Sequence, residues 1–522
     1  MSPRRSTLLR LLGLGALAFA LGVPTAPQAG PRGKKPPEPV EAVEDAPPTD
    51  EEVAEALTDF TTAITSGNKE AAMDALVAIA RDPEKERFHG AAYASMGGVL
   101  ATMDYPYASL VAYGHGIRLD PARSAQGVAP SLALAEKVSD TAYLEQVFSA
   151  NIGLEVDAAT RSRLAYMAAR GSYLQGNFAT AMGILTLVSK DASEYAQAQA
   201  LKGVVLSQQG KHTEALTTLL VAQELNKADP ERTDVILLNL ARTYYASENW
   251  ERASEYYGRV SRTSPWWPEA QFERAWAHFR AQDMNGTLSY LQNLVTPYYA
   301  DYYFPEAHIL RTYALFLMCK FPEASKQIDS FQATWAPVRD ALEKTLAGMD
   351  DQAAFDDARA YAEGGDTKLP GMVLRTFPDE QRFQEAVTAL DNLDRELNKL
   401  RSRQGKWAEF SVELLEARRD EIVASEGGRI RAATQAKVDQ LTQMINDTEL
   451  AKLDMLKLET RLYEQAAQRG ELAEVERKAQ RDVRVRKGYR AWPFEGEIWA
   501  DEIGYYVVNA TPECPEGLMQ GN

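Results

Sequence analysis

The 522-residue chain is poor in cysteine, with two, and in histidine, with five, and its 57 lysines and arginines fall short of its 74 aspartates and glutamates. Each shortage closes a class of function. Cys319 and Cys514 lie far apart, so a small cysteine-stapled scaffold is excluded. Their even count allows a disulfide in an oxidising compartment, but the expectation is a buried free thiol at Cys319. His89, His115, His212, His278 and His308 are scattered, and none pairs four residues from another as a metal site on a helix would require. A formal charge of −17 argues against nucleic acid or an anionic membrane surface, which need a net basic face, and leaves protein partners with basic patches.

Long apolar runs are absent as well. The longest, residues 8–21, follows Arg4 and Arg5, is interrupted only by Arg10, and gives way to small residues and proline. It is too short to span a bilayer comfortably and has the order of a secretory signal, so residues 1–29 are expected to be a signal peptide. Cleavage is expected after Gly22 or Ala29, and no cysteine is there to carry a lipid. Residues 30–49, rich in Pro, Glu, Ala and Lys, read as a disordered tether. The expectation is therefore a protein exported to the periplasm.

What fills the middle of the chain is a repeat. Gly176, Ala181 and Leu185 recur 34 positions later as Gly210, Ala215 and Leu219. Leu240, Ala241, Tyr244, Ala253, Tyr257 and Pro265 are answered by Ala275, Thr287, Leu291 and Leu294. Antiparallel helices approach closely only where small residues face the partner, so this period predicts a solenoid of helix pairs. The pairs centre on Ala72, Ala108, about Val147, Ala181, Ala215, Ala253, Thr287 and Ala324. The uneven steps place insertions at residues 227–234 and 298–304.

These residues resemble the tetratricopeptide repeat family. Gly203, Gly210, Ala215 and Ala222 match one copy, and Leu240, Ala241, Tyr244, Ala253 and Pro265 another, while Met96, Thr287 and Cys319 depart from the pattern. The resemblance implies an α-solenoid over residues 50–337. It also implies that Arg242, Tyr245, Glu269, Phe272, Trp276, Phe279, Arg280, Tyr313 and Phe316 line a concave groove. Aromatic residues and arginine dominate binding hot spots, so a peptide or helix is the expected occupant. Packing of the same rings between repeats, or against the hairpin below, is the alternative.

Beyond the repeats, residues 338–375 carry Gly364, Gly365, Pro370 and Gly371 and read as an irregular connection. Residues 376–486 then show a seam at Leu390, Leu393, Leu397, Leu400, Gln404, Trp407 and Leu414, and a second run with Val438, Leu441, Ile445 and Met455. The reading is a long antiparallel helical hairpin turning at Gly427 and Gly428, with a parallel dimeric coiled coil as rival. Residues 487–522 alternate aromatics with carboxylates, and Trp492, Phe494, Glu497, Trp499 and Asp501 are expected to dock this tail.

Catalytic signatures fail on spacing. Gly203 to Gly210 is followed by Lys211 and His212, but a phosphate-binding loop needs four residues between its glycines and Ser or Thr after the lysine. No nucleophile elbow occurs, and Ser66 to Lys69 falls in a turn. Glu497 and Asp501 between aromatics would suit a glycan-active enzyme, but no glycan-binding body precedes them. The sequence thus predicts an all-α tetratricopeptide-type solenoid, a helical hairpin and a short aromatic-acidic tail. It is expected to be a non-enzymatic scaffold without metal, cofactor or small-molecule substrate, reaching membranes only through partners. The order of parts and the ending Trp492 to Glu502 also resemble the repeat-containing periplasmic proteins of myxobacterial envelope machines. A coordinator of cell-wall synthesis or outer-membrane constriction is the alternative.

Overall fold

The computed structural model describes residues 47–149, 155–469, 499 and 501–514. The expected leader, most of the tether, and Trp492, Phe494 and Glu497 lie outside them. Among the described residues the chain is helical, without strands. Helix α1 (Asp50–Ala56) leads into a first pair, α2 (Thr58–Thr65) and α3 (Lys69–Ala80). Next come α4 (His89–Thr102) with α5 (Pro106–Leu119), α6 (Val128–Val138) with α7 (Thr141–Ser149), and α8 (Ala158–Leu174) with α9 (Phe178–Leu185). Then follow α10 (Tyr195–Gln208) with α11 (His212–Leu225) and α12 (Pro230–Ala246) with α13 (Trp250–Tyr257). The last pairs are α14 (Trp267–Arg280) with α15 (Met284–Leu294) and α16 (Pro305–Leu317) with α17 (Phe321–Leu346).

The pairs share one turn chemistry. Gly67, Asp104, Ser139, Gly176, Gly210, Glu248, Gln282 and Cys319 sit between first and second helix with φ from 57° to 79°. In every case the next N–H donates to the carbonyl five residues back, from Asn68 to Ala63 through Lys320 to Leu315. This closes the first helix and reverses the chain in one step. Only three of these positions are glycine, so five side chains hold a left-handed conformation that costs on the order of 1 kcal/mol each. Small residues govern the packing: Ala72, Ala108, Ala181, Ala215, Ala253, Thr287 and Ala324 lie on the second helices and are wholly buried. Gly203 of α10 accepts the Leu219 side chain of α11 where a Cβ would stand 2.5 Å away.

Past the pairs the structure departs from the expected boundaries. Helix α17 continues through Pro337 to Leu346, and the supposed irregular connection contains α18 (Asp351–Ala362) and two one-turn helices, α19 (Gly371–Leu374) and α20 (Thr376–Asp379). The hairpin exists, but its arms are α21 (Gln381–Arg401) and α22 (Lys406–Arg469), joined at residues 402–405 with Gly405 at φ 114°. Gly427 and Gly428 do not turn the chain; they lie inside the 64-residue α22. The reason is close approach: a Cβ on Gly427 would stand 1.9 Å from the Asp351 carbonyl oxygen at the start of α18. The glycine is a notch for another helix.

Helix α22, roughly 95 Å long at 1.5 Å per residue, is a strut across the arc. Its buried stripe runs through Trp407, Leu415, Ile422, Ile430, Val438, Leu441, Ile445 and Met455. The seam from Leu390 to Leu400 is buried with it against the first pairs, so the apolar face that would serve a dimeric coiled coil is consumed within one chain. Polar contacts fix the near end. Asp74 of α3 accepts from the Trp407 N–H at 2.8 Å, and Glu396 of α21 accepts from Tyr107 and Ala108 N–H at 2.9 and 2.7 Å, capping α5. Arg418, 4% exposed, reaches Asp140, 3% exposed, through two bonds of 2.9 and 2.8 Å, and Tyr107 donates to the same carboxylate at 2.7 Å. At the far end Lys452 pairs with Asp329 of α17 and Met455 enters the core of α14 to α17. None of the described helices is long and apolar enough to cross a membrane.

The tail is a strap. Arg262 donates to the Ile503 carbonyl, Gly504 N–H to Asn293 at 2.6 Å, Val508 N–H to Ser289 at 2.8 Å and Ala510 N–H to Asn285 at 2.9 Å. One face of α15, repeating every four residues, therefore reads the strap's backbone. It ends in a disulfide between Cys514 and Cys319, which corrects the expected free thiol. Spacing could not show this, because the strap alone brings the last cysteine to the turn between α16 and α17.

Two outcomes test this account. Gly427→Ala is expected to destabilise by about 1–3 kcal/mol in urea unfolding. Gly428→Ala, whose Cβ would meet Asp351 at an ordinary 3.7 Å, should instead stabilise by roughly 0.5–1 kcal/mol. The disulfide closes a separation of 195 residues, which chain entropy values at about 5 kcal/mol. Cys514→Ser should lower the thermal midpoint and make residues 501–514 an early site of limited proteolysis.

Candidate functional site

Between the inner face of α12 and α14 and the middle of α22 lies a cavity of about 620 Å³. The arc contributes Tyr245, Trp266, Glu269, Phe272, Glu273 and Trp276. The loop before α16 contributes Tyr302, Tyr303, Phe304 and the first-turn Glu306. Arg375, Asp379 and Glu380 come from the region of α19 and α20, and Arg429, Lys437 and Gln440 from α22. The position follows from the fold. The inner faces of α12 and α14 look across it toward α22, and the loop before α16 closes one side, where the Tyr303 hydroxyl donates to the Lys437 carbonyl at 3.2 Å.

The arc wall is set by Arg242, whose guanidinium joins α12 to α14. Its Nε lies 3.0 and 2.9 Å from the two Glu273 oxygens, and its Nη2 is 2.6 Å from both Glu273 and Glu269. Glu273 is 1% exposed while Glu269, 38% exposed, faces the cavity. Enclosure pushes the Glu269 carboxyl up to about 7, with the Glu273 charge adding to the rise and Arg242 opposing it. On the opposite wall, burial raises Glu306, which accepts from the Gln440 amide at 2.6 Å, and raises Glu380 despite its pairing with Arg429. Burial lowers Lys437, whose ammonium lies 5.2 Å from the Tyr303 ring centre. Arg375 lies 3.9 Å over the Tyr302 ring and donates to its hydroxyl at 2.7 Å.

Of the groove residues expected from the sequence, Tyr245, Glu269, Phe272 and Trp276 line this cavity, with Arg242 bonded behind them. Phe279 is buried in the core of α14 to α17, edge-on to Trp276 at 5.6 Å, and Arg280 lies 4.8 Å over Trp250. Tyr313 and Phe316 are half-buried against the same core. In the tail, Trp499 is 61% and Tyr505 69% exposed, and Asp501 is exposed. The opposite wall escaped the sequence reading. The insertion at 298–304, with Tyr298, Tyr299, Tyr302, Tyr303 and Phe304 in seven positions, was the available signal.

No protein-family model matches the chain, and no curated protein does. Among solved structures, a crystal structure of a tetratricopeptide repeat protein from Parabacteroides merdae is similar over 54% of this chain and 93% of that one, with 12% identity and a TM-score of 0.28. The all-α repeat architecture is evident from the turns and packing above, and a fold of this type presents surfaces for protein–protein interaction.

The charge arrangement has a pH signature. Because the Glu269 carboxyl is raised in the folded state, stability from its protonated form is complete below its ordinary 4.5 and is lost as pH rises through about 7. Glu269→Gln keeps an acceptor for Arg242 and removes this loss. Its thermal midpoint, measured by differential scanning fluorimetry against wild type, should gain more at pH 8 than at pH 5.

Proposed function

We propose that the chain is an exported, non-enzymatic scaffold that holds a protein partner at the cavity between arc and strut. The observation that carries this reading is the convergence there of Tyr245, Trp266, Phe272, Trp276, Tyr302 and Phe304 with arginine and glutamate, the composition of a binding hot spot. Export is supported by the leader-like residues 1–29 and by a disulfide that an oxidising compartment would preserve. Within the envelope, the order of parts and the Trp492 to Glu502 ending support assignment to a trans-envelope complex. The likeness is to adventurous gliding motility protein T of myxobacteria, which implies a part in assembling a motility machine. Deleting the gene should then abolish gliding and deplete other components of the complex; unchanged motility and abundance would remove that assignment.

The scaffold reading is tested by affinity capture from envelope extract. Trp266→Ala combined with Trp276→Ala, once circular dichroism shows the helix content retained, should weaken capture of one partner at least tenfold. Unchanged capture would move the binding role to the strap's exposed Trp499 and Tyr505.

A further inference from the structure

Resting on the cavity as the partner site, we infer that it receives a positively charged side chain, a guanidinium or ammonium carried on an extended segment of the partner. The inference follows from which wall charges already have partners. Glu273 is occupied by the two-pronged contact from Arg242, and Glu380 by Arg429, which also bonds Glu426. One enclosed wall carboxylate remains without a cation of its own. Among the described residues Glu306 has the Gln440 amide and no cation within ion-pair distance, while its neighbour across the cavity, Glu269, shares one Arg242 nitrogen with Glu273. A carboxylate enclosed without its own cation is unfavourable, and a ligand cation relieves that cost.

The cations on the walls show the same chemistry from the other side. Arg375 and Lys437 both lie over tyrosine rings, at 3.9 and 5.2 Å. Rings and carboxylates together are the surroundings in which a partly dehydrated cation is held. Trp266 and Trp276 supply further ring surface on the arc wall that also carries Glu269. The volume, about 620 Å³, exceeds one side chain and accommodates a few consecutive residues. An anionic segment seated on Arg375 and Lys437 is the rival, but it would bring a further negative charge beside Glu269 and Glu306.

The test uses the full chain and three fluorescent, end-capped decapeptides of one sequence, carrying two arginines, two citrullines or two glutamates. Citrulline keeps the shape of arginine without its charge. By fluorescence anisotropy the arginine peptide should bind at least about tenfold tighter than the citrulline peptide. Glu306→Gln should erase most of that preference while leaving citrulline binding unchanged. Glu214→Gln, on the exposed face of α11, should leave the preference intact. Equal binding of arginine and citrulline peptides overturns the inference, as does tighter binding of the glutamate peptide or no binding by any of the three at millimolar concentration. An arginine preference that survives Glu306→Gln also overturns it, since attraction then comes from the acidic surface at large. In each of these cases, capture lost with Trp266→Ala and Trp276→Ala would still leave the cavity as the partner site, so the two readings fail separately.

Discussion

The buried pair between Arg418 and Asp140 decides where the long helix crosses the arc, and the rest of the architecture follows from that crossing. Two nearly inaccessible charges are costly to desolvate, and they return that cost only in one geometry. Asp140 is also the residue that follows the left-handed Ser139, accepts from the Tyr143 N–H at 3.1 Å and receives the Tyr107 hydroxyl. A repeat turn, a helix start, a neighbouring repeat and the strut therefore meet on one carboxylate. Together with the Gly427 notch against Asp351, this contact fixes the register of α22.

The cavity is a by-product of that placement. Arc and strut touch at the start of the strut, at α3 to α7, and along its middle and far part, at α16 to α18. Between these, the inner faces of α12 and α14 stand off from α22, and the aromatic loop before α16 forms a side wall. The upward shifts of Glu269 and Glu306 and the downward shift of Lys437 have one leading cause, burial beside the cavity.

What the sequence revealed was local. The 34-residue step, the buried small residues from Ala72 to Ala324, and the helical character of nearly every segment came from periodicity that each pair expresses on its own. Four of nine expected groove residues line the cavity, because position within a repeat does determine which way a first helix faces. The failures were long-range. Gly427 reads as a breaker until Asp351 is known to press against it, and Cys319 reads as an isolated thiol until the strap is laid along α15. Five of the eight turns hide behind Asp, Ser, Glu, Gln and Cys, and of these only Asp favours the left-handed region. The second wall of the cavity joins residues from 302 to 440, and no local pattern links them.

Repeat arrays ordinarily behave as one-dimensional chains of neighbours, in which the ends fray and unfolding spreads inward pair by pair. The 64-residue helix removes that freedom. By fastening α3 at one end and α17 at the other, it gives the first and last pairs a common neighbour, so neither terminus is an end in the thermodynamic sense. The arc is tied like a bow by its string: the first and last pairs share one partner, which opposes fraying at either end. Synthesis carries the reciprocal cost, since the apolar faces of the earliest pairs stay uncovered until the last third of the chain has been made.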